Sequence, residues 1–267
     1  MKGDESMIGC GRREIFLCRH MIGGRSQTVH CQIGLMARSD LEEAVKLHCR
    51  VTRGLSHEIY APTTDEDLER ILSGEGVALG VWFEERLICM RAVITNREWM
   101  DKVICHMGFE PERHSSDAYT EHCVVDKDFR GNNIQFLTHY AIESQISDNF
   151  DAVLSTVSPK NIFSLQNILA CNFLIIGLRK LYGGYMRFIM RKDFRSAASL
   201  WTNGHFVVPS SDFERQRELL ADGYVGYKSI RKHRGFSILY APIRKEPPAG
   251  YWKRSAPTSE RKENMSR

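Results

Sequence analysis

No run of apolar residues in the sequence approaches the ~20 that a membrane-spanning helix needs, which excludes a helical membrane protein. Charge of one sign is not concentrated either. Lys and Arg number 37 against 33 Asp and Glu, a net charge of +4. Without a clustered basic face, a nucleic-acid partner is not expected. The first residues are polar and lack the basic start and apolar stretch of a secretory signal, so the expected location is cytoplasmic. There is no Cys-x-x-Cys pair among the eight cysteines. Cys10, Cys18, His20, His30 and Cys31 have spacings that match no common zinc site, and no metal is expected. Buried free thiols in a reducing compartment are the simpler reading. Neither GxGxxG nor a Walker sequence occurs, which removes the common nucleotide-binding α/β classes.

What remains has the composition of an ordinary globular protein, with 42% hydrophobic and 26% charged residues. Residues 1–31 show no clear period and read as an irregular extension. Beyond them, short strands and helices alternate from Gln32 to about residue 194. Two apolar runs, Val77–Phe83 and Leu87–Thr95, read as a hairpin, and Asn96–Asp117 reads as a long loop. Residues 195–246 carry a second group of strands and one helix, an α+β extension. Residues 247–267 follow a Pro-Pro-Ala-Gly break and read as a disordered basic tail. Alternating strands and helices predict an α/β fold, a mixed sheet with helices on both faces.

The informative junction lies where the strand Ala118–Val125 passes through an Arg130-Gly131 turn into a helix. Such a junction presents backbone N–H groups at the positive end of a helix dipole, a place for phosphate or pyrophosphate. Gly131 permits unusual backbone angles and close approach, and Arg130 adds positive charge. Within the strand, Glu121 is a lone carboxylate among apolar residues, costly to bury without a role or partner. Simple alternation places Tyr119, Glu121, Cys123 and Val125 on one face and His122 on the other.

The run Val125-Asp126-Lys127-Asp128-Phe129-Arg130-Gly131-Asn132-Asn133-Ile134 resembles the coenzyme A pyrophosphate loop of the GNAT superfamily of N-acetyltransferases, V-x-P-x-x-R-G-x-G-I-G. Asn161-Ile162-Phe163-Ser164 followed by Asn172-Phe173 resembles its second signature, N-x-x-S/A, seven residues, then G-F. Both stand in the family's order, and the resemblance covers roughly residues 32–194. Lys127 replaces the usual proline, and Asn133 and Gln135 replace two small residues. Asn133 and Asn172 are substitutes with a physical basis, because Asn tolerates left-handed backbone angles. Ile168 stands where many members carry a tyrosine that protonates the leaving thiolate.

The resemblance implies a GNAT-like, mostly antiparallel twisted sheet and acetyl-CoA as co-substrate. It implies that Cys123, Val124, Val125, Arg130, Gly131, Asn132, Asn133, Ile134, Gln135, Asn161 and Ser164 hold the coenzyme. Glu121 is then the general base that frees the amine, and Tyr182 or Tyr185 the candidate general acid. Arg187 is a candidate to hold an acidic substrate group. The expected reaction is acetyl transfer to a primary amine of a small molecule by direct attack. The alternatives are a protein N-terminal or lysine acetyltransferase and a non-catalytic acyl-CoA-binding module. The sequence leaves a homodimer open.

Overall fold

The computed structural model describes residues 14–61, 63–195, 200, 204–233 and 235–243. The tail expected to be disordered, 247–267, lies outside them, as does Cys10. Among the described residues, eleven strands form one sheet in the order β1-β2-β3-β4-β5-β6-β8-β7-β10-β11-β9. They are β1 (Glu14–Ile22), β2 (Arg25–Leu35), β3 (Gly76–Phe83), β4 (Arg86–Ile94), β5 (Asp117–Val125), β6 (Ala152–Val157), β7 (Leu174–Leu181), β8 (Tyr185–Asp193), β9 (Phe206–Pro209), β10 (Tyr224–Arg231) and β11 (Phe236–Pro242). All neighbours are antiparallel except β5 and β6. Six α-helices connect them among the described residues: α1 (Leu41–Thr52), α2 (Asp65–Arg70), α3 (Arg97–His106), α4 (Ile134–Ile146), α5 (Ile162–Ala170) and α6 (Phe213–Ala221).

Helices cover both faces of the sheet. On one face Leu47, Leu68, Trp99, Met100 and Ile104 from α1, α2 and α3 pack with Met90, Tyr119 and Val124. On the other, α4 contributes Ile134 against Val81, Ile88 and Cys89, and Ile142 and Ile146 against Leu79 and Val93. A further core joins Leu165 and Leu169 of α5 to Phe188, Met190, Leu219, Ile238 and Tyr240. The last three belong to the segment after residue 195, which therefore continues the sheet and shares its core. Asp212 caps α6 by accepting from the Arg215 amide. No helix among the described residues is long and apolar enough to cross a membrane.

Two sequence expectations need correction. Residues 14–31 are not irregular. They form the β1–β2 hairpin around Gly23 and Gly24 (φ 55° and 79°), the paired positive angles of a tight primed turn. The strand pattern was blurred because β1 is apolar on both faces. Cys18 is buried, while Ile15 and Leu17 are 65% and 62% exposed. The span Asn96–Asp117 is not a long loop. Asn96 caps α3 through the Trp99 amide (3.0 Å), and a short 3₁₀ turn follows at Pro111–His114. Buried Trp99, Met100 and Ile104 mark a helical face too short to stand out by period alone.

Candidate active site

β5 and β6 run parallel, yet they pair only at Asp117↔Ala152, Ala118↔Val153 and Tyr119↔Leu154. Beyond this point β5 follows β4 as far as Val125 and β6 follows β8 as far as Val157. The strands diverge, and Ser155 Oγ reaches the Thr120 carbonyl (3.3 Å) near the apex. A cavity of about 750 Å³ opens there, bounded by β5, β6 and the first turns of α4 and α5. Backbone groups of β5 past Thr120 have no β6 partner and form one wall.

A bulge shapes that wall. Ala92 pairs with His122 and Val93 with Thr120, so Glu121 is the extra residue. Bulges re-aim side chains and break alternation. Glu121 therefore meets Thr63, and His122 meets His48 of α1 with ring centroids 5.8 Å apart. Cys123 instead lies with Val125 in the α4-side core. The simple alternation that put Glu121 with Cys123 and Val125, and His122 opposite, is thus overturned.

Glu121 accepts from Thr63 Oγ1 at 3.1 Å. Burial pushes its pKa up to about 7, and the charge of Asp67 adds to the rise, while the Thr63 hydrogen bond moderates it. No cation pairs with Glu121 among the described residues. From Thr63 the contacts continue to Tyr60 OH (3.4 Å) and on to His48 Nε2 (2.9 Å). Burial keeps His48 below the ordinary histidine range despite Asp65. Neither ring nitrogen of His122 has a partner. Burial, with the charges of His48 and Arg91, holds His122 down at about 3, hence neutral. Thr63 and His48 escaped the sequence reading. His48 did leave a trace, a polar residue on the otherwise apolar face of α1.

The turn between β5 and α4 is built as the junction predicted. Asp126 accepts from the Asp128 amide (3.1 Å), from Arg50 Nε (2.8 Å) and from Arg86. Burial alone would raise its pKa, but these donors hold it below the usual carboxylate range. Gly131 has φ 79°, and a Cβ there would meet nothing within 4 Å. Asn133 adopts the left-handed conformation (φ 57°, ψ 20°) at the start of α4, the role expected of it as a substitute for glycine. Its side chain makes no cap bond, which leaves the first-turn amides of Ile134 and Gln135 open to an anion. Asn172 is likewise left-handed (φ 66°).

Not every residue of the loop offers its side chain. Asn132 grips β1: its Nδ2 donates to the Arg19 carbonyl (2.7 Å) and its Oδ1 accepts from the Arg19 amide (2.8 Å). Gln135 Oε1 accepts from Asn167 of α5. Both side chains are therefore engaged within the fold. Arg130 is exposed and donates Nε to the Val125 carbonyl (3.2 Å). Arg91, buried beneath α4, donates to the Gln135 carbonyl (2.8 Å) and to Thr138 (3.2 Å). Guanidinium groups thus outnumber carboxylates around the cavity, with Arg91, Arg130 and Arg187 against Glu121.

Asn161 caps α5 through the Ser164 amide (3.2 Å), so its side chain serves its own helix. Ser164 and Ile168 line the cavity, and Ile168 carries no proton to donate. Of the two candidate acids, Tyr182 lines the cavity. Its hydroxyl contacts those of Tyr119 (3.0 Å) and Thr156 (3.1 Å). Burial raises its pKa, so the phenol stays protonated. Tyr185 is 37% exposed at the start of β8 and is not part of the cavity wall, because the Gly183-Gly184 turn carries the chain away. Among the described residues no group of His, Cys, Asp and Glu is placed to hold a metal ion.

No family model matches the chain, and no curated protein matches it. Solved structures of similar fold include an N-acetyltransferase from Staphylococcus aureus Mu50. It is 18% identical, with 62% of this chain and 99% of that one covered and a TM-score of 0.48. The GNAT domain of S. lividans PAT is 12% identical over 68% of this chain and 96% of its own, with a TM-score of 0.49. The ribosomal-protein-S18-alanine N-acetyltransferase from Escherichia coli is 11% identical over 66% and 99%, with a TM-score of 0.46.

Proposed function

We propose that the protein is a GNAT-type N-acyltransferase that moves an acetyl group from acetyl-CoA to a primary amine of a small molecule. The observation that carries this reading is the place of Glu121, a half-buried carboxylate at the mouth of a gap between two diverging parallel strands, where burial pushes its pKa up to about 7. A general base works best with a pKa near the operating pH.

The residues present fit the coenzyme. Open amides at the start of α4, the empty space above Gly131 and the charges of Arg130 and Arg91 suit a pyrophosphate. The edge of β5 that has no β6 partner suits the amide-bearing pantetheine arm. Acetyl-CoA supplies an activated thioester carbonyl. Glu121 takes the proton from the ammonium form of the acceptor. The freed amine attacks the carbonyl directly, with the acceptor held in line by the cavity wall, and such positioning is worth several orders of magnitude in rate. Backbone N–H groups of β5 steady the negative charge that develops on the carbonyl oxygen. As the C–S bond breaks, Tyr182, protonated and joined to Tyr119 and Thr156, gives its proton to the departing thiolate, and the surplus proton of the new amide nitrogen restores the phenol. The contacts Glu121–Thr63–Tyr60–His48 offer a path by which Glu121 passes its proton onward.

Calorimetric titration with acetyl-CoA tests this, beside Arg130→Ala. Binding in the micromolar range that weakens about 10- to 100-fold in the variant supports the coenzyme site, since loss of a charged contact costs roughly 1.5–3 kcal/mol. Silence with acetyl-CoA, CoA and longer acyl-CoAs sinks it.

A further inference from the structure

Arg187 of β8 is 2% exposed, a buried cation in the wall of the same cavity. Its partners are all neutral. Nη1 donates to the carbonyls of Glu58 (2.8 Å) and Met186 (3.0 Å), and Nη2 to that of His57 (2.5 Å). Glu58 directs its carboxylate elsewhere, to Lys160 Nζ at 2.9 Å. No carboxylate forms an ion pair with Arg187 among the described residues. A buried charge without a counter-ion is costly and calls for a reason.

The arrangement of the donors gives one. A guanidinium has five N–H groups in a rigid fork. Carbonyl contacts use both N–H of Nη1 and one of Nη2. One N–H on Nε and one on Nη2 are left over, and these two nitrogens share an edge of the fork. That edge matches the two oxygens of a carboxylate. Cζ of the guanidinium lies over the Tyr182 ring, 5.5 Å from its centroid. Tyr182 also feels the charge of Glu121, so a cation and a carboxylate flank the same phenol. Burial disfavours the charged guanidinium, and an anion arriving beside it relieves that penalty.

Resting on the acetyltransferase reading, we infer that Arg187 forms a carboxylate subsite in the acceptor chamber. The acceptor is therefore an amine that also carries a carboxylate, an amino-acid-like zwitterion whose ammonium lies toward Glu121 and whose carboxylate pairs with the free edge of Arg187. The loop that lines one side of that chamber with Leu55, Ile59 and Tyr60 is tied down by the same guanidinium through the His57 and Glu58 carbonyls.

The test uses the full chain with acetyl-CoA and matched acceptor pairs, free amino acids and their carboxamides. Wild type is expected to favour the acid by about 100-fold in kcat/KM. Arg187→Met is expected to lower the acid-to-amide ratio of kcat/KM by a similar factor. Because Arg187 also holds residues 57 and 58, Arg187→Lys is measured alongside. It keeps the charge and loses the two-pronged edge, and it should fall between the two. The acid-to-amide ratio is the readout, since damage to folding lowers both members together. Equal use of acid and amide by wild type, or an unchanged ratio in both variants, overturns the subsite while leaving an active acetyltransferase. Absence of both acetyl-CoA binding and transfer to any amine removes the underlying reading as well.

Discussion

Thr63 and Glu121 are joined by a 3.1 Å hydrogen bond across 58 positions of sequence. The hydroxyl donates to a carboxylate that burial makes unwilling to ionise, and it moderates the rise in pKa to about 7. Since the base acts in its ionised form, kcat/KM should climb with pH through about 7 and level off above it. Removing the donor in Thr63→Val should move this limb upward by roughly one to two pH units, as a hydrogen bond to a charged group is worth ~1.5–3 kcal/mol. Glu121→Gln should cost about 10²–10⁴ in rate and abolish the limb. A Thr63→Val profile that coincides with wild type would detach Thr63 from the base.

The same group makes stability depend on pH. Its folded pKa lies above the ordinary 4.5 of the unfolded chain, so between these values the folded state holds a proton that the unfolded state has lost. The contribution is complete below about 4.5 and fades as pH rises through about 7. It amounts to on the order of 3 kcal/mol over that window. Chemical denaturation at pH 5 and pH 8 measures it. Glu121→Gln should lose this part of the pH dependence and be the more stable of the two at pH 8. A variant with the wild-type slope would refute the assignment.

Asn133 occupies a left-handed backbone conformation with no side-chain cap, so glycine should serve as well. Asn133→Gly is expected to retain acetyl-CoA affinity and thermal stability. Asn133→Val, β-branched and strained at φ 57°, should lose about 1–2 kcal/mol of stability and weaken coenzyme binding. Thermal unfolding and calorimetry on both variants decide this, and equal behaviour of Gly and Val would mean that the backbone angle is unimportant.

Tyr182 faces the cavity and Tyr185 does not. Tyr182→Phe should lower kcat by about 10–100-fold with little change in acetyl-CoA affinity, in line with loss of one proton donor. Tyr185→Phe should leave kcat unchanged. Stopped turnover in Tyr185→Phe with an intact Tyr182→Phe would reverse the roles.

How much of this could be read from the chain follows from the range of each interaction. The loop from Val125 to Ile134 was legible because its requirements are local. Gly131 and Asn133 mark backbone angles that few residues tolerate, and the helix beginning at Ile134 leaves its first amides open by its own geometry. Glu121 stood out as a charge in an apolar strand. The alternation of strands and helices gave the fold class for the same reason, since the period of side-chain burial is a property of each element alone.

What tertiary structure decided depends on partners distant in sequence. The bulge at Glu121 exists only in register with β4. One added residue in the pairing turned His122 toward α1 and Cys123 toward α4, which no strand pattern in isolation reveals. The pKa of Glu121 is set by burial and by Thr63, and the neutral surroundings of Arg187 by carbonyls about 130 positions away. Even the β1–β2 hairpin became recognisable only in the sheet, because apolar residues on both faces of β1 erase the alternation that burial normally writes into a strand. Conformational demands and periodicity are carried by residue type, whereas register, burial and the pairing of charges arise from the meeting of separate segments.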